Sequence, residues 1–398
     1  MKKTDLTVLV SGASVSGLSV AYWLSQYGFK VTLVEQAPHL RPGGQALDVR
    51  GAAALKVAER MGILGTIRER RTKLTGVSLV DPTGKEIFRS TERTLTGTRF
   101  DSSDVEILRD HLVEVLFQAV GDQVEYIFED SIATLVQDDT GVNVSFVSAM
   151  PRRFDLVIGA DGLRSNVRRL VFGPDERFIH YLGSYIAVCA IPNFLGLDHW
   201  QVFCQDGEAG GGLLALAKDE ATRTYLGFKA DKPLDYDFRD IGAQKRLLAD
   251  RLSGLKWVFP QILKYMQDSP DFYFDSINQI RMNRWSHGRV VLLGDAGYAV
   301  SLATGQGTSV AMIAAYVLAG ELATHREEPL AGLESYEREL REYVRRNQEL
   351  AAHVDLPDPS SSDDAESVEA MIDPDSLPDF GEQAVPFDLK SYEHRDGS

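Results

Sequence analysis

Gly12, Ser14 and Gly17 occupy the three positions of a phosphate-cradling turn, and Glu35 lies eighteen residues beyond Gly17. Such a set can bind a dinucleotide. Backbone amides at a helix N-terminus receive the pyrophosphate, and an acid at the tip of the next strand takes ribose hydroxyls. Ser14 stands where a middle glycine usually lets the backbone approach the phosphates; serine costs little room and brings a hydroxyl to donate. Two more acids close apolar runs: Asp161-Gly162 follows residues 155–159, and Gly294-Asp295 follows residues 289–293. Gly305-Gln306-Gly307 then precedes a long apolar stretch. No Ser/His/Asp or Cys/His constellation and no metal-ligand spacing accompanies them, so the chemistry is expected to reside in a bound cofactor, with no metal.

These residues need elements to hold them. Residues 6–10 are apolar and β-branched and read as a buried strand; Leu18, Val20, Ala21 and Leu24 recur at helical spacing up to Gly28, and residues 31–34 form the next strand. A turn-rich loop, 36–44, leads to a helix over 51–61. Asp81-Pro82-Thr83-Gly84 marks a hairpin between 77–80 and 86–88. Ser103 and Glu106 make a capping box that predicts a helix over 105–120. Strands are expected at 124–128, 132–136, 142–147 and 154–158. From about 174 onward strands without intervening helices, 185–191, 200–204, 212–217 and 223–228, suggest an antiparallel sheet. A buried strand at 290–293, a helix over 308–323 and a last helix over 333–352 complete the body.

At 398 residues the chain is long enough for two domains. Its 44% hydrophobic and 25% charged content is that of a globular protein, no apolar run approaches the ~20 residues of a membrane span, and no signal-peptide pattern opens it. Cys189 and Cys204 read as two buried, reduced thiols of a cytoplasmic protein. The net charge of −16 is concentrated in residues 353–398, which hold thirteen acids and two bases, so the body carries only −5. No basic stripe interleaved with aromatics supports nucleic-acid binding.

With the three motifs in this order, the chain resembles the single-component FAD-dependent aromatic hydroxylases and monooxygenases, the family of para-hydroxybenzoate hydroxylase and the tetracycline-inactivating monooxygenases. The resemblance covers roughly residues 5–350. It implies an α/β protein in which a Rossmann-like FAD-binding domain is joined to a mostly antiparallel β-sheet substrate domain and a C-terminal helix. It also implies non-covalent FAD, NADPH or NADH as co-substrate, and O2 activated as a flavin C4a-hydroperoxide that hydroxylates an aromatic or polyketide-like small molecule. Asp295 would then receive ribityl hydroxyls, the alternative being a helix cap. Gly305, Gln306 and Gly307 would lie against the isoalloxazine, and Arg109 would contact the flavin. Asp161 and Gly162 would serve FAD and the nicotinamide cofactor, or form a structural turn. Gly43 and Gly44 would sit beside the flavin ring or form a plain turn, and Arg41 would hold a phosphate or be solvated. Tyr298 and Leu302 stand where the family has histidine and proline, which bears on the shape of loop 299–304.

The expected domains are 1–70, 103–174 and 280–332 for FAD; 71–102 and 175–279 for substrate; 333–352 as the C-terminal helix; and 353–398 as an acidic, disordered tail. Val188, Leu214, Leu226 and Leu302 are the expected substrate contacts. The expected floor strands, 185–191, 212–217 and 225–228, contain no Arg, Lys or His to hold a small aromatic acid, and Gly210-Gly211-Gly212 offers a bare edge for a flat ring. This points to a larger, uncharged polycyclic substrate, tetracycline-like molecules among the candidates, bound by a monomer or homodimer. The other readings are an FAD-dependent reductase or dehydrogenase of similar fold and a non-catalytic flavin- or drug-binding protein.

Overall fold

A computed structural model describes residues 6–94, 99–351 and 384–392. The chain opens with β1 (Thr7–Ser11), α1 (Val15–Gln26) and β2 (Lys30–Val34), then β3 (Ala46–Val49), α2 (Gly51–Arg60) and α3 (Leu64–Glu69). The hairpin β4 (Gly76–Val80) and β5 (Glu86–Ser90) precedes β6 (Val105–Leu108) and α4 (Arg109–Val120). Next come β7 (Glu125–Ile127), β8 (Ile132–Asp138), β9 (Gly141–Phe146), β10 (Arg152–Phe154), β11 (Leu156–Gly159) and α5 (Asn166–Val171). The second half contributes β12 (Ile179–Ile191), β13 (Trp200–Asp206), β14 (Ala209–Ala215), β15 (Thr222–Lys229), α6 (Ile241–Leu252), α7 (Phe259–Asp268) and β16 (Tyr273–Ile280). It closes with β17 (Ser286–His287), β18 (Val290–Leu292), α8 (Asp295–Tyr298), α9 (Gly307–Thr324) and α10 (Pro329–Leu350).

One sheet, in the order β17-β18-β11-β1-β2-β7, holds β1 between parallel neighbours. Its strands are apolar on both faces because α1 and α9 cover one side and a second apolar cluster covers the other. α9 is long and apolar enough to cross a membrane, yet 83% of it is buried, so its uniform hydrophobicity reflects a core position. The other large sheet, β16-β12-β15-β14-β13-β4-β5, is antiparallel except at β13–β4, and packs one face on α6 and α7. Cys189 and Cys204 lie in that core, where burial pushes their thiols up to about 12 and about 11.

Several expectations are corrected. The Ser103–Glu106 capping box does not exist. Residues 105–108 form β6, paired with β3, which lies between the expected loop 36–44 and helix 51–61; the helix starts at Arg109 with no side-chain cap. The strand expected over 154–158 breaks at Asp155, whose Oδ2 accepts the amide and hydroxyl of Thr7, both at 2.8 Å, so β10 and β11 enter different sheets. β16, at the edge of the large sheet, is a strand that the sequence pattern does not predict. Part of the tail expected to be disordered is ordered: residues 384–392 lie against α9 and α10, with Phe387 on Tyr343 and Tyr392 on Tyr316. Phe380 lies outside the described residues.

Candidate cofactor and substrate cavity

A cavity of about 1240 Å³ lies where the C-terminal ends of β1, β11 and β18 meet one face of the substrate sheet. That is more than one drug-sized ligand needs. Gly12, Ser14, Glu35, Gly44, Arg109, Asp161, Gly162, Asp295, Gly305, Gly307, Leu214 and Leu302 line it. Gly17, Gly43, Gly294, Gln306, Val188 and Leu226 do not.

The turn after β1 is built for a close approach. Gly12 adopts φ +106° and donates its amide to Val34 at 2.8 Å, folding the chain back toward β2. Gly17 stands behind it, and any β-carbon there would overlap the Gly12 carbonyl oxygen, so only glycine lets α1 begin so tightly. Ser14 is the N-cap of α1 but makes no side-chain cap, leaving its hydroxyl for the cavity. Glu35 is fixed at the tip of β2 by two amides, Ala13 to Oε2 at 2.8 Å and Ala37 to Oε1 at 2.9 Å. Each oxygen keeps a lone pair for a hydroxyl.

Across the cavity Asp295 opens α8 after Gly294. Its carboxylate is exposed to cavity space and accepts no hydrogen bond from the described residues, and desolvation by the cavity walls raises its pKa. An unsatisfied acceptor in that position is matched by a polyol. Gly305 lies against Asp48 and Arg50, and Gly307 begins α9 facing open space. Gln306 is turned inward at 1% exposure. Tyr298, also expected near the site, is a core residue: its hydroxyl bonds Tyr336 at 2.5 Å and its ring packs on Trp285. Loop 299–304 is carried instead by Ser301 at φ +99° and by Thr304 Oγ1, which donates to the Ser301 carbonyl at 3.0 Å.

Arg109 acts as a clamp on the loop beside this wall. One terminal nitrogen donates to the carbonyls of Arg41, Pro42 and Gly43 at 2.5, 3.1 and 2.5 Å. Burial pulls its pKa down to about 10. Gly44, at φ +102°, rests on the guanidinium, where a β-carbon would collide with Nε. The neighbouring Asp110 accepts the Gly43 amide at 2.8 Å and pairs with Arg223 of β15 at 3.2 Å; Arg223 also pairs with Asp271. The loop is thus tied to both sheets. Asp161 is a cap as well as a wall: Oδ1 accepts the Ser165 hydroxyl at 2.5 Å and Oδ2 the amides of Asn166 and Val167 at 2.8 and 3.0 Å. Beside it Gly162 meets nothing within 4 Å, and Arg164 pairs with Asp275 at 2.6 Å.

The floor is the substrate sheet. Register places Phe203, Gly212 and Tyr225 in one row and Gln201, Leu214 and Arg223 in the next. Of the expected contacts only Leu214 and Leu302 reach the cavity. Leu226 alternates to the opposite face and joins Leu213 and Phe228 in the α6/α7 core. Val188 shares the face of Ile186 but is 1% exposed and lies beyond the cavity edge. The glycine run offers no bare edge, because Gly212 is covered by the Phe203 ring and Gly210 by Gln205. Gln201, Phe203, Tyr225, Asp48, Arg50 and Glu106 were not anticipated. A lone glutamine in the apolar run 200–204 was the one available signal.

The model of the FAD binding domain family matches residues 5–351. An uncharacterised protein of Mycobacterium tuberculosis is 51% identical over 87% of this chain and 92% of its own length. A flavin-dependent monooxygenase of Legionella longbeachae is 39% identical over 88% and 89%. Among solved structures, the tetracycline destructase Tet(51) superposes with a TM-score of 0.86 at 33% identity, covering 97% of this chain and all of that one.

Proposed function

The chain belongs to the FAD binding domain family, among relatives that are flavin-dependent monooxygenases, and on that premise we propose that it hydroxylates a multi-ring, uncharged small molecule at the expense of NAD(P)H and O2. FAD fits the cavity by its donors and acceptors. The α1 N-terminus with Ser14 would take the pyrophosphate, Glu35 the adenosine ribose, Asp295 the ribityl chain, and the Gly44 and Gly305–Gly307 backbones the ring. Bound there, the cofactor supplies reduction of O2 and transfer of one oxygen atom. The protein's part is to orient the substrate ring over the floor strands, hold the loop 41–44 shut through Arg109, and exclude water. NAD(P)H as reductant is the ground for placing the enzyme in the cytoplasm.

One observation carries the substrate reading: Arg223, a cation of β15, is committed to Asp110 and Asp271, while Asp48 and Glu106 face the cavity and Arg50 is already paired with Asp48. A substrate carboxylate there would lie beside two acids, which disfavours it. Flat neutral rings meet Leu214, Phe203 and Leu302 instead. Tetracycline-like molecules are among the candidates. The experiment is O2 uptake and NADPH oxidation by the FAD-loaded protein with matched panels of multi-ring phenols and simple hydroxybenzoates, with product mass. Coupled hydroxylation of a hydroxybenzoate alone would overturn the substrate class; reduction without O2 uptake would replace the monooxygenase by a reductase.

A further inference from the structure

The cavity has a polar end that cofactor binding does not use. Asp48 on β3 and Glu106 on β6 are direct cross-strand partners in an antiparallel pair, and both line the cavity. Like charges in register repel, and two such carboxyls ionise together only at a cost. Arg50 pairs with Asp48 at 3.0 Å, and the Thr72 hydroxyl donates to Glu106 at 2.6 Å. Tyr225 reaches the same place from the substrate sheet. Its oxygen accepts the Ala46 amide at 2.8 Å, which leaves its proton for another acceptor. Gln201 completes the set: it is 7% exposed, lines the cavity, and its amide has no hydrogen-bond partner among the described residues. The amide is open to the cavity, where a ligand's polar groups can bond it.

Resting on the monooxygenase reading above, we infer that Asp48 and Glu106 are the proton-accepting pair of the substrate site, taking the proton of a phenolic or enolic hydroxyl whose neighbouring oxygen is held by Gln201 and Tyr225. In that step the substrate O–H bond breaks, a new O–H bond forms on the Glu106 carboxylate, and the electron pair stays on the substrate oxygen. Asp48, neutralised by Arg50, keeps its charge, so the pair accepts one proton and no more. The ring is thereby made electron-rich where oxygen is to be delivered.

Burial first, then the Asp48 charge, push Glu106 up to about 7, against the opposing pull of Thr72 and Arg50. The accepting form therefore prevails above that pH and is lost as pH falls through it. The other charged or titratable groups acting on the pair are Asp104, close to Asp48, and Tyr225 with Arg223 behind it, while Arg71 and Lys73 line the same cavity.

The test uses alizarin, a planar dihydroxyanthraquinone with a hydroxyl beside a carbonyl, bound to the oxidised FAD-loaded protein without reductant. Its phenol and phenolate absorb at different wavelengths. In the unmodified protein the bound phenolate is expected to appear with a midpoint displaced from that of the free dye. Glu106→Gln should return the midpoint to the free-dye value, and with an accepted substrate should lower kcat about a hundredfold while KM stays within about threefold. Thr72→Val keeps both carboxyls and, by removing a hydrogen bond that holds the Glu106 pKa down, makes it the stronger acceptor, so the midpoint should move to lower pH; it decides the matter if Glu106→Gln does not fold. Failure of the dye to bind, or midpoints unchanged in both variants, would overturn the inference. Because the measurement needs no turnover, an absence of NADPH oxidation in the same preparation counts against the monooxygenase reading alone.

Discussion

Arg109 donates to the carbonyl of Gly43 at 2.5 Å, so a helix of the FAD-domain core fixes the loop that would close over the flavin. The same nitrogen reaches the carbonyls of Arg41 and Pro42, and no other side chain has a planar head of this reach. Arg109→Lys is expected to weaken FAD binding about tenfold, in line with roughly 1.5–3 kcal/mol for a hydrogen bond to a charged group. Fluorescence titration of the apoprotein with FAD measures it. An unchanged affinity would mean that the loop closes without the clamp.

Asp295 accepts no hydrogen bond from the described residues, so replacing it should cost the fold little and the cofactor much. Asp295→Ala should purify with FAD occupancy reduced at least tenfold, a loss of order 1.4 kcal/mol or more in binding, and a melting temperature of the apoprotein within about two degrees of the parent. A yellow, fully loaded variant would show that the ribityl chain lies elsewhere.

Arg223 joins two carboxylates across the sheets, Asp110 and Asp271. Removing it leaves buried acids unpaired, and Arg223→Ala is expected to lose about 3–5 kcal/mol of stability by urea denaturation. The pH dependence should change too. Burial pushes Asp271 up, but the Ala190 amide, the Ser269 hydroxyl and Arg223 together bring it below the usual carboxylate range. A folded-state pKa below the unfolded value gives stability that is full above the unfolded pKa, about 4, and lost as pH falls through the folded one. Without Arg223 the acid limb should therefore move to higher pH; superimposable acid limbs would contradict the pairing.

The ordered part of the tail makes a fourth case. Glu321, 4% exposed on α9, receives Lys390 at 3.1 Å and the Tyr392 hydroxyl at 2.8 Å, and Tyr392 fills a notch at Gly320. Deleting residues 384–398 should lower the melting temperature by several degrees while FAD occupancy stays nearly full, since none of the described residues 384–392 lines the cavity. A truncated protein that melts like the parent would make the contact incidental.

What was legible in the sequence was local. β1, α1 and β2 are contiguous, Gly17 is required by the Gly12 carbonyl in the same turn although Gly12 itself makes room for distant Ala160, and Asp161 and Asp295 each end a strand that announces itself. What was missed depended on pairing across distance. β3 and β6 are four residues each and lie nearly sixty residues apart, so neither has a hydrophobic period of its own, and the Ser103–Glu106 spacing imitated a cap. The cavity floor failed for a related reason. Alternation says which residues share a face but not which face meets the cavity, and Val188, Leu226 and Leu214 divided accordingly. The tail was judged by its acids, although Phe387 and Tyr392 are spaced to dock beside the one lysine that meets Glu321.

The ring of Phe203 lying over Gly212 gives the substrate sheet a reserve of room. Phe203 is held by the strand at its own position, not by the glycine beneath it, so a smaller residue there would expose a strip of backbone without disturbing the register of β13, β14 and β15. Substrate range in this scaffold can therefore widen by a single replacement at one end of the floor. The reverse is not available, because any side chain introduced at 212 would meet the Val202 backbone carbonyl as well as the Phe203 ring. Lineages that accept bulkier rings are expected to diverge at position 203 while leaving the glycine alone.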